Sequence, residues 1–164
     1  LIILATVSTV PLVSKIKINA DNFEYDSTIK QIVASGKVEV KQKDIIITGD
    51  KAHYKKNSQK ITIINNVKII QNDINIIAQK AIADGKKDVL IIKGSVKFWN
   101  QVFKGNADEV KYDILKQTLE LSGNPIVKTR NDLISGKKIK LDFKNEKVNA
   151  LGSGMVSLSL ESLR

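Results

Sequence analysis

The chain has 164 residues, 27 lysines and arginines against 17 acidic residues, one histidine and no cysteine, for a formal net charge of +10. A chain near 150 residues buries roughly 70% of its unfolded surface, so one domain with a core of its own is expected, and the lack of cysteine excludes disulfide and thiolate chemistry. The cations are almost all lysine, 25 against 2 arginines, and aromatics make up 5% of the chain, which argues against nucleic acid as a partner because base-edge reading and base stacking favour arginine and aromatic side chains.

From the amino terminus, Leu1 to Val13 is apolar or small throughout and too short for a membrane span of about 20 residues. It reads as the remnant of an export signal or the end of a membrane anchor, with an edge strand as the alternative. Residues 14–164 then form a single domain. Ile16 and Ile18 begin a pattern in which apolar residues alternate with polar ones, the signature of strands with one buried face. The parity flips beside Ala20-Asp21 and the alternation resumes at Phe23 and Tyr25. It continues through Ile32, Ala34, Val38 and Val40, and the whole unit then recurs every 29 residues, five times without insertion.

Each unit starts on a small residue, Ala20, Gly49, Ala78, Ala107 or Gly136, and carries Gly36, Asn65, Gly94, Gly123 or Gly152 sixteen residues later. Such a register predicts a repeat architecture. The flip of parity at the same place in every copy predicts a β-bulge or bend that keeps both segments facing one interior. The expected inward positions are apolar except at Gly105, Asp132 and Gly154, while Pro125, which cannot donate to a ladder, predicts an edge or a break. Lys41 to Asp44, Lys55 to Lys60 and Gly85 to Asp88 are polar runs of hairpin size.

Catalytic chemistry has little to stand on. His53 falls at an outward position with no second histidine or cysteine, so it reads as a solvated surface residue rather than a metal ligand or triad member. Asp21, Asp50 and Asp108 follow the small bend residues and read as bulge residues, not general acids. Gly85-Lys86-Lys87 and Gly136-Lys137-Lys138 lack phosphate-loop spacing, and Trp99, beside the inward Phe98, is expected to point out. No enzyme activity, metal or cofactor is expected.

The run Ile18-Asn19-Ala20-Asp21, Tyr25-Asp26, Gly36-Lys37-Val38-Glu39-Val40 and Ile47-Thr48-Gly49-Asp50-Lys51-Ala52 resembles the OstA-like family of periplasmic lipopolysaccharide-transport bridge proteins. Gly105 to Tyr112, Leu119-Glu120-Leu121-Ser122-Gly123-Asn124-Pro125-Ile126-Val127 and Ile134-Ser135-Gly136-Lys137-Lys138-Ile139 are similar to its second half, so the likeness covers about residues 16 to 156. The resemblance implies an all-β, open β-jelly roll, two sheets splayed around an apolar groove, that carries the acyl chains of lipid A through the periplasm. It implies other components of the transport bridge as partners. The membrane-anchored C component of the same pathway is similar in fold and stays open as an alternative.

On that reading the groove is lined by Ile47, Tyr54, Ile63, Val67, Ile69, Ile76, Ile92, Val96, Phe98, Tyr112 and Leu121, residue types that any β-sandwich core would also use. Met155-Val156-Ser157-Leu158-Ser159-Leu160 alternates with no lysine or proline to block pairing. The edges expected to meet a partner are therefore Ile16 and Ile18 at one end and Val156, Leu158 and Leu160 at the other, and joining them would build a head-to-tail chain of copies. A structural β-solenoid with a filled core, acting as a scaffold, is the rival from another class.

Overall fold

The computed structural model describes residues 16–84 and 86–158. The expected export remnant at 1–13 and the edge residue Leu160 lie outside them. The described residues are all-β. Two short strands, β1 (Lys17–Asn19) and β2 (Asn22–Asp26), open the chain. Six long ones follow: β3 (Gln31–Gln42), β4 (Ile45–Lys55), β5 (Lys60–Gln71), β6 (Ile74–Asp84), β7 (Val89–Trp99) and β8 (Lys104–Asp113). Short strands return with β9 (Thr118–Ser122), β10 (Ile126–Lys128), β11 (Leu133–Ser135), β12 (Lys138–Asp142), β13 (Lys147–Leu151) and β14 (Met155–Ser157).

Every pairing is antiparallel, and one meander of hydrogen bonds runs the length of the molecule. Each long strand is bent in the middle. In the β3–β4 ladder Ser35 faces Lys51 and Val38 faces Gly49, so residues 36 and 37 stand against residue 50 alone. The same two-against-one count recurs 29 residues on, between Ile64 and Val67, and again between Lys93 and Val96. The strand with the extra residue keeps its parity across the bend, as from Ala34 to Val38, while its partner, with one residue there, flips, as from Ile47 to Ala52, and both legs of each strand face one interior.

The bends fold the sheet into two leaves. Leaf one runs from β2 through the adjoining legs of β3 to β8 and on through β9, β12 and β13; leaf two runs from β1 through the other legs of β3 to β8 and on through β10, β11 and β14. The result is a β-jelly roll that stays open: β1 and β14 do not pair, so the sheet does not close into a barrel.

The bulge requires left-handed backbone. Gly36 has φ 77° and Lys37 47°; the corresponding pairs are Asn65 and Asn66, Gly94 and Ser95, and Gly123 and Asn124, all with positive φ. Glycine and asparagine tolerate that region best. The small residue that starts each repeat serves a different need. Gly49 lies outside the left-handed region, but a Cβ there would sit 2.5 Å from Ile63 Cγ2, so close approach rather than conformation demands glycine.

Where the pattern departs from the rule, so does the strand. Pro125 occupies the position of Val38 three repeats later, cannot donate to a ladder, and stands in the gap that divides β9 from β10. The turns are equally periodic. Lys30, Gln59, Asp88, Gln117 and Glu146, 29 residues apart, each end a turn with positive φ. Asp26, Asp84, Asp113 and Asp142 accept from a backbone N–H two or three residues on, at 2.8 to 3.0 Å, as Asx turns do.

Candidate functional site

Between the leaves lies one continuous apolar interior. Ten of the eleven expected groove residues, Ile47, Ile63, Val67, Ile69, Ile76, Ile92, Val96, Phe98, Tyr112 and Leu121, are buried there, and Tyr54 is half-buried against them. They descend from the same inward positions of successive repeats, so each leaf contributes matching columns of aliphatic side chains. The leaves are packed together in this conformation. A cavity lined by Ile45, Ile47, Ile61, Leu90 and Ile114 amounts to about 20 Å³, room for one water at most.

The bulges close one long side of this interior. The opposite side is a rim of turns, and contacts among the described residues cross it from leaf to leaf. Lys43, in the β3–β4 turn, reaches Asp88, before β7, at 3.8 Å. Phe143, just past β12, meets Phe98 and Phe103 edge-on with ring centroids 6.4 and 6.3 Å away. Another contact is polar. The Tyr112 hydroxyl donates to Gln71 Oε1, and Gln71 Nε2 donates to Asp44 Oδ2 at 2.9 Å and to the Ile114 carbonyl at 3.3 Å. Gln71 is 3% exposed and Tyr112 fully buried. Burial, and then the charges of Asp44, Asp113 and Asp73, hold the Tyr112 hydroxyl well above the usual phenol range, so it remains a proton donor.

Sequence reasoning placed Tyr112 in the interior as an apolar contact and missed its partner. The signal was present. Gln42, Gln71, Asn100 and Thr129 succeed one another at 29-residue spacing where each leaf-two strand ends. Asn100 Oδ1 accepts from the Val102 and Phe103 amides at 3.0 and 2.7 Å, and the Thr129 hydroxyl accepts from the Asp132 amide at 3.0 Å. A column of uncharged polar residues thus finishes the turns along the rim. At Gln71 it also reaches the other leaf.

The outer face carries the lysines. His53 does point outward, but it is not a freely solvated side chain: it is partly covered, and its Nδ1 lies 3.0 Å from Gln31 Nε2. Burial, then Lys51 and Lys55, lower its pKa. Asp21, Asp50 and Asp108 sit at the bulges. The Asp21 and Asp108 amides donate to the carbonyls of Gly36 and Gly123, and Asp50 accepts from Asn66 Nδ2 at 2.8 Å. Trp99 is outward and half-exposed, beside a notch of about 350 Å³ bordered by Lys97, Lys104, Lys128 and Ile126. Among the described residues no cluster of His, Asp or Glu is placed to hold a metal ion.

Among the described residues, both ends of the roll leave apolar side chains exposed. Ile16 and Ile18 are only partly buried against the core, and Phe23, Tyr25 and Ile29 beside them are each more than half exposed. At the far end Leu151, Met155, Val156 and Leu158 are likewise exposed. β1 and β2 pair only with β3, β13 only with β12 and β14 only with β11, so the outer backbone groups of these strands have no ladder partner among the described residues.

Comparison with known proteins gives a family for this arrangement. The family described as LptA/(LptD N-terminal domain) LPS transport protein matches residues 17–60 and 46–147. The crystal structure of LptH, the LptA homologous periplasmic component of the conserved lipopolysaccharide transport device from Pseudomonas aeruginosa, aligns over 89% of this chain and 96% of that chain, at 19% identity and a TM-score of 0.39. No curated protein matches.

Proposed function

We propose, from the premise that the chain belongs to the family of LptA and LptD N-terminal-domain lipopolysaccharide-transport proteins, that it carries lipopolysaccharide through the periplasm with the acyl chains held between its leaves. The observation that carries this reading is the interior itself: the same apolar columns recur from β3 to β12 without a polar interruption until the rim. A chain of about twelve carbons buried at about 0.8 kcal/mol per methylene gains roughly 10 kcal/mol before ordering costs.

What keeps the leaves closed is weaker. The exposed Lys43–Asp88 pair contributes about 0–1 kcal/mol, and the Tyr112–Gln71 contact about 1–3 kcal/mol counted as the cost of leaving one partner unpaired. Apolar contacts between the leaves are exchanged for contacts with the acyl chain rather than lost. The leaves therefore part along the turn rim and hinge at the bulges. Repeated equivalent columns give the chain successive sites of similar energy, so movement along the roll meets no deep trap. Copies joined head to tail, together with other members of the bridge, would carry the lipid between inner and outer membranes.

The closed packing favours one second reading, a filled-core scaffold. Equilibrium binding of purified protein to lipopolysaccharide and to its fully deacylated form separates the two. Saturable binding of the acylated form alone is expected; equal binding of both, or of neither, refutes an acyl-binding interior. Self-association should appear as concentration-dependent mass in light scattering, and a monomer at high concentration would remove the head-to-tail element.

A further inference from the structure

The two outer faces of the roll differ in charge. Outward positions of leaf one mix acids with lysines, among them Glu24, Asp84, Glu109, Glu120 and Asp142, and Lys93–Glu109 and Lys111–Glu120 pair across strands at 2.8 and 3.7 Å. Outward positions of leaf two hold Lys17, Lys41, Lys68, Lys97, Lys104 and Lys128. Glu39 is the acid among them, and it is already paired with Lys41 at 2.9 Å.

Toward its carboxyl-terminal half, leaf two sets an aromatic side chain among these cations. Trp99 faces Lys104 and Lys104 faces Lys128, while Lys97 faces Asn106 and Asn106 faces Ile126. Neighbouring strands lie about 4.8 Å apart, so the indole stands within a cluster of lysines. Two lysines directly opposite each other weaken a sheet, and among the described residues no ion pair offsets Lys104 or Lys128. The turn after β7 adds Val102, and the turn after β10 adds the exposed Arg130. Together they border two adjoining hollows of about 350 and 880 Å³ that share Trp99, Lys104 and Lys128. Asp132 lines the larger hollow but is partly buried, with its Oδ1 enclosed. Away from the two ends of the roll, the exposed large apolar residues among those described are Trp99, Val102 and Leu115, and Leu115 belongs to the turn between β8 and β9 on leaf one.

We infer that this patch docks on the headgroup region of a bilayer that contains anionic phospholipid, with Trp99 and Val102 entering the interface and Lys97, Lys104, Lys128 and Arg130 facing lipid phosphates. Tryptophan favours the headgroup level because its ring is amphipathic. Lysine stems lie along apolar surface while their ammonium groups stay in water, and an anionic membrane surface attracts each nearby cation. An acidic protein is the other class of anionic surface, but protein interfaces are depleted in lysine, and here lysine supplies most of the charge. A basic cluster with a shallow apolar wedge holds a membrane reversibly. The docking does not depend on what the interior holds.

Trp99 is the one tryptophan of the chain, so its fluorescence reports docking without a label. Full-length protein is titrated with vesicles of phosphatidylcholine and with vesicles of equimolar phosphatidylcholine and phosphatidylglycerol, both free of lipopolysaccharide. On the anionic vesicles a blue shift of the emission is expected, with quenching when the lipid is brominated. The variant Lys97→Gln, Lys104→Gln, Lys128→Gln should bind them about a hundredfold more weakly, at about fivefold per lysine. Lys60→Gln, Lys80→Gln, Lys140→Gln makes the same change of net charge on leaf one and should lose far less. All six lysines are exposed, so both variants should fold, which circular dichroism checks. Equal losses in the two variants would reduce the interaction to net charge, and equal binding to both kinds of vesicle would reduce it to apolar insertion. Binding that leaves Trp99 unshifted and unquenched would place the contact elsewhere. A shift with polyglutamate and not with vesicles would assign the patch to an acidic protein. Any of these results, or no binding by the parent protein, overturns the docking.

Discussion

Removing one hydroxyl at the rim tests the account of how the leaves are held. Tyr112→Phe leaves the ring, which is fully buried, in place and deletes the donor to Gln71 Oε1. Gln71 is 3% exposed, so its carbonyl oxygen is left without a partner in an apolar setting, at a cost of about 1–3 kcal/mol. For a domain of this length the midpoint of thermal unfolding falls by about 2–12 °C. Gln71→Leu alone strands the tyrosine hydroxyl and costs about the same. The double variant removes donor and acceptor together. Asp44 is exposed and regains water, while the Ile114 carbonyl loses its donor in either Gln71 variant, so the double variant should be more stable than Gln71→Leu and fall short of the parent only by that bond, with a coupling of about 1 kcal/mol or more between the two sites. Thermal or urea unfolding of the four proteins measures the cycle. Additive losses, or a neutral Tyr112→Phe, refute the claim that this buried pair ties one leaf to the other.

Two further predictions concern backbone approach and titration. A Cβ on Gly105 would meet the Ile126 carbonyl oxygen at 2.2 Å and Phe98 Cζ at 2.5 Å, whereas on Gly136 its nearest neighbour is at 3.4 Å; Gly105→Ala should therefore lose about 1–3 kcal/mol or more and Gly136→Ala gain up to about 1 kcal/mol, and equal effects in urea unfolding would contradict the geometry. His53 has its pKa lowered in the fold, first by burial and then by Lys51 and Lys55, so the unfolded chain takes the proton first. Its contribution to stability is whole above the unfolded value of about 6.5 and declines as pH falls below it. His53→Gln should flatten the dependence of the unfolding midpoint between about pH 7 and 5.5. An unchanged slope would assign that dependence elsewhere, though not to Glu39 or Asp142, whose pKa values are also lowered and whose effects fall at more acid pH.

Much of this architecture is legible in the chain because one face of every strand is buried. Ile61, Ile63, Val67 and Ile69 share one parity while Ile76 and Ala81 on the partner strand do not, and a bulge that sets Asn65 and Asn66 against Gln79 satisfies both patterns with all six side chains inside. Pro125 announces the β9–β10 break by the same logic. Side-chain chemistry at the rim was harder to read. Gln71 sits at an inward position, but nothing local to it says that Tyr112, 41 residues away, will supply its hydrogen bond; that depends on how the leaves close. His53 has outward parity, and its partial burial comes from Gln31 on the neighbouring strand. Alternation says which way a side chain points, not what covers it. Nor does it say whether an apolar interior stays shut, since Ile63 would have the same neighbours in sequence in either case.

The central claim is that the leaves part to admit acyl chains, and photocrosslinking tests it most directly. A photoreactive amino acid replaces Ile63, which is fully buried between the leaves, and separately Lys68, which is exposed on the outer face. With lipopolysaccharide present and ultraviolet light, adducts are expected at Ile63 and not at Lys68. Adducts at Lys68 alone, or at neither site in folded protein, would contradict an acyl-binding interior and leave the closed, filled core as the working state of the molecule.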